Sequence, residues 1–378
     1  MCETSAEGRL VAERYFLMGV VGSGLALFGV LANGLLAVLF LTRSNYRHSP
    51  FFFLGFVALF DTLFDSTFIL LMSVPVNAEY FDNYKLFMVW LKYMPVVHVF
   101  SQIFKIASVF CLIMASIERY CMTKHWTFTG FEQRTRWLAL SFVVGMAIII
   151  KSITADISVL EREECDGYRR FKVSYQRGDS YHLGLFNTAA IFVPFFTLIF
   201  LNGGIVMMLR KQNVQQLRSL ITELTMGHDV MKIRRRNLRS ATNTLIVIIS
   251  AYLISNLLNV YLTITEYFNA DFLHVDHPDF FRLAADFASV LTVIGNAIRP
   301  PAHFLSNSEI RQQFALMVFG DVQEKPSLKK LEELPRRRSE RLENPWISLL
   351  LSVHEKDQPS SPLLSGSYVK RHSTIAIC

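Results

Sequence analysis

The chain has 378 residues, of which 52% are hydrophobic and 18% charged, with a net charge of +7 and a mean hydropathy of +0.32. Soluble globular domains carry about 25% charged residues, so this composition excludes an ordinary water-soluble domain. The five cysteines show neither zinc-ligand spacing nor a dense disulfide pattern, which also excludes a small disulfide-stapled scaffold.

Three long runs contain no charged residue: 15–41, 183–209 and 241–265. A helix needs roughly 20 apolar residues to cross about 30 Å of hydrocarbon, and each run is long enough. The first run lacks the basic segment and small-residue cleavage site of a signal peptide, so it is expected to be retained as a helix. Four more polar segments complete a set of seven, namely 51–76, 94–118, 137–155 and 281–305. The sequence therefore predicts an all-α bundle of seven transmembrane helices.

Loop charge predicts the orientation of this bundle. Lys and Arg outnumber Asp and Glu in the segments 42–50, 119–136 and 210–240, whereas acids are in excess on the N-terminal segment and the remaining loops. Basic loops stay on the cytoplasmic side, so the N-terminus is expected outside and the C-terminus inside. The basic lining faces anionic lipid, and no nucleic-acid partner is expected.

The region after the seventh helix predicts one more element. Ile310, Phe314, Ala315 and Val318 recur at helical spacing, which predicts a short amphipathic eighth helix. Beyond it the composition is polar, charged and rich in Ser and Pro, which is typical of a disordered tail. The predicted organisation is an extracellular N-terminus (1–15), the bundle (16–305), the eighth helix (306–319) and a disordered cytoplasmic tail (320–378).

Several ionisable residues fall at membrane depth, where charge is costly and usually functional. Asp61 and Asp65 are four residues apart on one face of helix 2. Helix 3 carries a polar stripe, made of His98, Gln102, Lys105 and Ser108. Both faces are expected to point into the bundle. An unpaired buried ammonium is costly, so we predict a Lys105–Asp65 ion pair, with Asp286 of helix 7 as the alternative partner of Lys105.

These positions carry a family resemblance. Asn33, Asp61, the triplet Glu118-Arg119-Tyr120, Pro194, and Asn296 with Pro301 resemble the signature positions of rhodopsin-like (class A) G-protein-coupled receptors over roughly residues 16–319. The Phe-rich composition is also similar to nematode serpentine receptors, including the FMRFamide-receptor-like group. The resemblance implies a receptor that passes an extracellular signal to a heterotrimeric G protein.

The resemblance also implies roles for residues. Arg119 would pair with its neighbouring acid in the inactive state and face the G protein in the active state. The positions matched to the G-protein switch are Glu118, Arg119, Tyr120, Asn202, Tyr252, Pro301 and Phe304. Asp61, Ser108, Asn33 and Asn296 resemble the family's sodium pocket, and their oxygens suit a hard cation. A protonated Asp61 that only ties helices together remains an alternative.

The chain departs from the family at several positions. Met94 replaces the helix 3 cysteine, so the usual disulfide cannot form, and Cys2 is the alternative partner for Cys165. Helix 6 has Ser255-Asn256-Leu257-Leu258 in place of Cys-Trp-x-Pro, and helix 7 has Pro300-Pro301-Ala302-His303-Phe304 in place of Asn-Pro-x-x-Tyr. Helix 5 has Asn202 in place of its tyrosine.

The ligand class is constrained mainly by exclusion. Ser101 stands where amine receptors carry aspartate and Ile294 where opsins carry lysine, so neither class is expected. The long loop 156–182 and the acidic external segments favour a cationic peptide by electrostatic steering, with a small chemosensory molecule as the alternative. The ligand-contact candidates are Asp65, His98, Ser101, Gln102, Lys105, Asn256, Glu266 and Asp286.

The remaining predictions concern partners and competing classes. The basic stretch 232–239 and the eighth helix would face the G protein, and phosphorylation of tail serines could recruit an arrestin. Those serines are Ser339, Ser360, Ser361, Ser365 and Ser367. A multi-pass protein of the plasma membrane is expected. A transporter or channel is the competing class, against which there is no internal repeat, and no nucleophile or metal motif indicates an enzyme.

Overall fold

The computed structural model describes residues 10–124, 131–153, 157–161, 171–175, 181–222, 229–268, 272 and 276–319. Seven helices in these ranges are long and apolar enough to cross a membrane, which confirms the predicted number. They are α1 Val11–Thr42, α2 Phe52–Tyr80, α3 Tyr84–Lys124, α4 Gln133–Ile153, α5 Tyr181–Thr222, α6 Asp229–Phe268 and α7 Pro278–Ser306. A one-turn helix, Ser44–Arg47, lies between α1 and α2, and α8 is Ser308–Phe319.

The chain divides into two compact units. The first, Met1–Phe314, contains the seven-helix bundle and the first half of α8. The second is Ala315–Cys378, of which the structure describes only the end of α8. Cys2, Cys165 and the predicted disordered tail lie outside the described residues, so their predictions stay predictions.

The outer ends of α1 and α2 each contain a π-helical segment, Tyr15–Gly22 and Ile69–Ser73. A π turn hydrogen-bonds from residue i to i+5 and leaves neighbouring carbonyls open to other donors. Side chains of α3 use two of them: the Trp90 Nε1 donates to Leu71 O at 3.2 Å and the Tyr93 hydroxyl to Leu70 O at 3.0 Å. These bonds fasten the outer part of α3 to α2.

The bundle's two surfaces follow from its surroundings. Large apolar side chains point outward, among them Leu31, Phe142, Phe200 and Ile254, as lipid requires. Polar and charged side chains are instead buried inside, including Asp61, Asp65 and Arg299. The expected inward orientation of the helix 2 carboxylates is therefore confirmed.

The loop between α4 and α5 contains structure that the sequence analysis did not predict. Strands β1 Ile157–Glu161 and β2 Phe171–Tyr175 form an antiparallel pair in which Ile157 lies opposite Tyr175. Strand β2 alternates apolar and polar residues over its five positions, a short version of the strand period, whereas β1 has Val159 and Leu160 side by side. The described part of the chain is thus seven membrane helices with a small hairpin beside α3.

The eighth helix occurs close to the predicted range. In its first half, Ile310 is fully buried and the Phe314 ring contacts the Phe304 ring, with centroids 4.7 Å apart. Arg311 is exposed. The amphipathic face predicted for this part of the helix is therefore present.

Candidate functional site

The centre of the bundle holds a buried ion pair between α2 and α7. Asp61 Oδ2 accepts a hydrogen bond from Arg299 Nη1, while Asp61 Oδ1 accepts one from the Ser108 hydroxyl of α3 at 2.6 Å. Arg299 Nη1 also reaches the Ser108 oxygen at 3.2 Å. Asp61 is 1% exposed and Arg299 3%, so the pair is isolated from water. Three helices are joined at one carboxylate.

One turn further along α2 lies a second polar connection. Asn296 Nδ2 donates to Asp65 Oδ1 at 3.1 Å, and Asn33 Nδ2 donates to the Asn296 carbonyl oxygen at 3.3 Å. The other oxygen of Asp65 has no hydrogen-bond partner among the described residues and lies against Gly29. A Cβ on Gly29 would be 2.2 Å from that oxygen. Only glycine lets α1 approach the carboxyl group of Asp65 this closely.

The predicted Lys105–Asp65 ion pair is wrong, and so is the alternative pairing with Asp286. Asp65 is bonded to Asn296, and Asp286 accepts from Arg14 Nε at 2.6 Å at the outer ends of α1 and α7. Within the described ranges no carboxylate forms an ion pair with Lys105. Spacing along α2 and α3 could not reveal this, because both competing partners come from distant parts of the chain.

The sodium pocket implied by the resemblance does not fit these residues. Its four matched residues do come together in two linked pairs, Asp61 with Ser108 and Asn33 with Asn296. Both oxygens of Asp61 are already bonded, however, and its negative charge is balanced by Arg299. A metal cation at Asp61 would have to share the site with a guanidinium of the same charge.

Arg299 is the functional residue that the sequence analysis missed. A signal was present, because Arg299 is an ionisable residue at membrane depth three positions after Asn296, and hence on the same helical face. Arg299 directly precedes the segment Pro300–Phe304 that was matched to the family's helix 7 motif.

The C-terminal end of α3 carries a buried ion pair with α4. Glu118 Oε1 accepts from Arg136 Nη2 of α4 at 2.7 Å and from the Phe131 backbone N–H at 2.9 Å. Glu118 is fully buried. No ion pair joins Glu118 to Arg119 in the part of the chain that the structure describes, so the pairing expected of the inactive state stays a prediction.

Arg119 instead sits in an aromatic environment. Its guanidinium carbon lies 5.5 Å from the centroid of the Phe51 ring, a cation–π distance, and its Nε has no hydrogen-bond partner among the described residues. The Phe51 ring contacts Tyr46 and Phe40, and His303 of α7 lies edge-on to Phe40. Burial raises the pKa of Tyr46 to about 12, so this loop tyrosine remains a neutral phenol.

Other switch candidates make weaker contacts. Tyr120 packs its ring against Gly204 of α5, and Asn202 Nδ2 lies 3.5 Å from the Ser250 hydroxyl of α6. Tyr252 is buried and its carbonyl accepts from Asn256 Nδ2 at 2.9 Å. Pro301 and Phe304 lie near the inner end of α7, half-buried.

Helices α6 and α7 are linked by amides where the family has its tryptophan and proline. Asn259 Nδ2 donates to Asn256 Oδ1 at 3.4 Å and to the Thr292 hydroxyl of α7 at 3.2 Å. Gly295 lets the Ser255 side chain of α6 approach α7, because a Cβ there would be 2.4 Å from the Ser255 oxygen. A polar contact thus replaces an aromatic one between these helices.

The ligand candidates on α3 occupy the N-terminal half of that helix. Ser101 is buried, whereas His98, Gln102 and Lys105 are half-buried. Lys105 and Lys151, the latter at the C-terminal end of α4, both lie within electrostatic range of His98. Glu266 is half-buried near the C-terminal end of α6. His98 and the two lysines thus form a basic group between α3 and α4.

The fold and this charged centre define a seven-helix membrane protein with an ion pair buried in its bundle. The sequence model of the 7 transmembrane receptor (rhodopsin family) matches residues 32–300, which is more than half of the chain. The protein belongs to the rhodopsin family of seven-transmembrane receptors. Its members are receptors, not enzymes, and they respond to an extracellular ligand through a G protein.

Two further comparisons complete this assignment. The crystal structure of squid rhodopsin matches with a TM-score of 0.62 at 17% identity, covering 82% of this chain and 86% of the squid chain. At this identity the likeness shows the fold. A search of curated protein sequences gave no significant match.

Proposed function

We propose that this receptor sits in the plasma membrane with its N-terminus outside, binds an extracellular peptide, and couples to a heterotrimeric G protein through Arg119. The observation that carries the proposal is the state of Arg119. It is 3% exposed at the cytoplasmic end of α3, stacked on Phe51, and its acidic neighbour Glu118 is bound to Arg136. An arginine without a carboxylate partner is free to exchange its aromatic contact for a carbonyl or carboxylate of a G protein.

The peptide proposal is supported by the outer surface. Glu79, Asp82, Asp276 and Asp279 lie around the outer ends of the helices, where they would attract a cationic ligand. Among the described residues β1 and β2 pair only with each other, so the other edge of each strand would offer backbone groups to an extended peptide. Ligand charge and backbone pairing would act together at this surface.

A small anionic molecule is the second candidate, and Lys105 favours it. This lysine lies at membrane depth without an ion-pair partner among the described residues, within electrostatic range of His98. A carboxylate or phosphate on the ligand would supply the missing charge. Lys105→Met should then abolish the response to such a ligand. It should alter the response to a cationic peptide bound at the rim much less.

The coupling test is expression with a promiscuous G protein and a screen of peptides and small acids. Arg119→Ala should abolish the second-messenger response at unchanged surface expression. Arg134→Ala is the matched control, since Arg134 is exposed at the same membrane side. A response that survives Arg119→Ala, or an ionic current that ignores it, would overturn the proposal.

The tail could add an arrestin contact. Phosphorylation of the serines beyond residue 320 would give them negative charge suited to a basic partner. The exchange of those serines for alanine should then prolong the response without changing its onset.

A further inference from the structure

We infer that Arg299 is a tethered cation that takes the place of the sodium ion at Asp61, so that sodium does not regulate this receptor. The inference concerns ion binding in the folded chain. It does not depend on which ligand the receptor recognises.

Both carboxylate oxygens of Asp61 already have partners within the protein. One carboxylate oxygen accepts from the Ser108 hydroxyl at 2.6 Å, and the other accepts from Arg299 Nη1. The same guanidinium nitrogen lies 3.2 Å from Ser108, so it contacts two of the four residues matched to the ion pocket. A sodium ion would need these same oxygens.

The charges lead to the same conclusion. One carboxylate and one guanidinium cancel, and Arg299 cannot lose its proton under physiological conditions. A second cation beside Asp61 would add an uncompensated positive charge in a medium of low dielectric constant. A sodium ion dissociates and its occupancy follows concentration, whereas Arg299 is present at Asp61 in every molecule.

The surroundings of the pair leave one guanidinium nitrogen unpaired. Arg299 Nε has no hydrogen-bond partner among the described residues. A small cavity borders the pair, lined by Asn33, Asp61, Arg299, His303 and apolar residues of α1, α2 and α6. A shorter side chain at position 299 would enlarge this cavity beside Asp61.

The test measures the thermal unfolding midpoint of the purified full-length chain in sodium chloride and in equal concentrations of N-methylglucamine chloride. An ion that binds only the folded state stabilises it by RT ln(1 + [ion]/Kd), so the midpoint rises with the logarithm of ion concentration above Kd. The wild type should show the same midpoint in both salts. Arg299→Asn should create a sodium-specific rise of a few degrees at concentrations about ten times its dissociation constant. Adding Asp61→Asn should abolish that rise.

Two further variants separate the tethered charge from general effects on α7. Arg299→Lys keeps a cation near Asp61 and should remain insensitive to sodium. Arg282→Asn removes a cation from the outer end of the same helix and should also remain insensitive. A sodium-specific rise of the wild-type midpoint would overturn the inference, and so would a folded Arg299→Asn variant without one. If Arg299→Asn does not fold, the sodium-23 NMR relaxation rate of the wild type provides the test. A specific site would show faster sodium relaxation that added lithium reverses, and this result would overturn the inference.

Discussion

Arg136 of α4 binds Glu118 of α3 through Nη2 at 2.7 Å. Because Glu118 is paired with Arg136, it does not pair with its neighbour Arg119. Both side chains are at most 3% exposed. In a buried pair the cost of losing one partner is the uncompensated charge that remains, about 3–5 kcal/mol. Removing both charges costs much less. Arg136 therefore controls whether Glu118 is available to Arg119.

Arg136→Met should lower the free energy of unfolding by about 3 kcal/mol and weaken G-protein coupling, because the released Glu118 can pair with Arg119. Glu118→Gln/Arg136→Met should recover most of both losses, because neither charge is left alone. A double-mutant cycle on detergent-solubilised protein measures the first quantity, and second-messenger assays the second. Independent, additive effects of the two substitutions would contradict the pairing.

The close contact between Gly29 of α1 and Asp65 of α2 leaves no room for a larger side chain at position 29. Gly29→Ala places a Cβ 2.2 Å from Asp65 Oδ2, which requires the carboxyl group or the helix to move. We expect a loss of about 2 kcal/mol in unfolding free energy, typical of overpacking. Gly24→Ala in the same helix is the matched control, since nothing lies within 4 Å of its Cβ position, and it should be neutral or slightly stabilising. Equal midpoints for the two variants in thermal unfolding would refute the close approach.

The tyrosines 46 and 93 give a matched test of hydroxyl groups. The buried Tyr46 hydroxyl has no partner among the described residues, whereas the Tyr93 hydroxyl donates to Leu70 O at 3.0 Å. Tyr46→Phe should raise the unfolding free energy by about 1 kcal/mol, and Tyr93→Phe should lower it by a smaller amount, because the Tyr93 hydroxyl is more exposed.

The pH dependence of the Tyr46 variant follows from its pKa. Burial raises the pKa of Tyr46 from 10.0 to about 12, so the unfolded chain ionises first. The wild type is then progressively destabilised relative to Tyr46→Phe as the pH rises from 10 toward 12. Denaturant titrations across that range should show the difference growing. A constant difference would mean that the phenol is hydrated in the folded receptor.

The sequence predicted the helices far better than the pairing of charges among them. Runs such as 15–41 and 241–265 are long enough to identify a membrane helix without further information. The inward face of Asp61 and Asp65 followed from the cost of charge in lipid, and the structure agrees. Such arguments need only local composition and helical period.

The predicted ion pairs of Lys105 were wrong because the partner of a buried charge depends on how each helix is rotated about its axis and how deep it lies in the bundle. Lys105 and Asp65 were at matching heights on α3 and α2, but Asn296 of α7 reaches Asp65 and Arg14 reaches Asp286. Arg299 lies directly before the altered helix 7 motif, which begins at Pro300, so the comparison of motifs did not include it. A count of every ionisable residue at membrane depth would have found it.

The link between α6 and α7 gives the last prediction. Asn259 Nδ2 donates to the Thr292 hydroxyl at 3.2 Å, and Thr292→Val removes this bond while keeping the side-chain shape. If α6 and α7 separate on activation, the bond stabilises only the inactive state, by about 1 kcal/mol. Its loss should raise basal signalling about fivefold when the active state is rare. Thr265→Val is the control, because the Thr265 hydroxyl donates to Tyr261 O within α6. Basal activity, measured at matched surface expression, should rise for Thr292→Val alone. An equal rise in the control would assign the effect to helix propensity rather than to the interhelical bond.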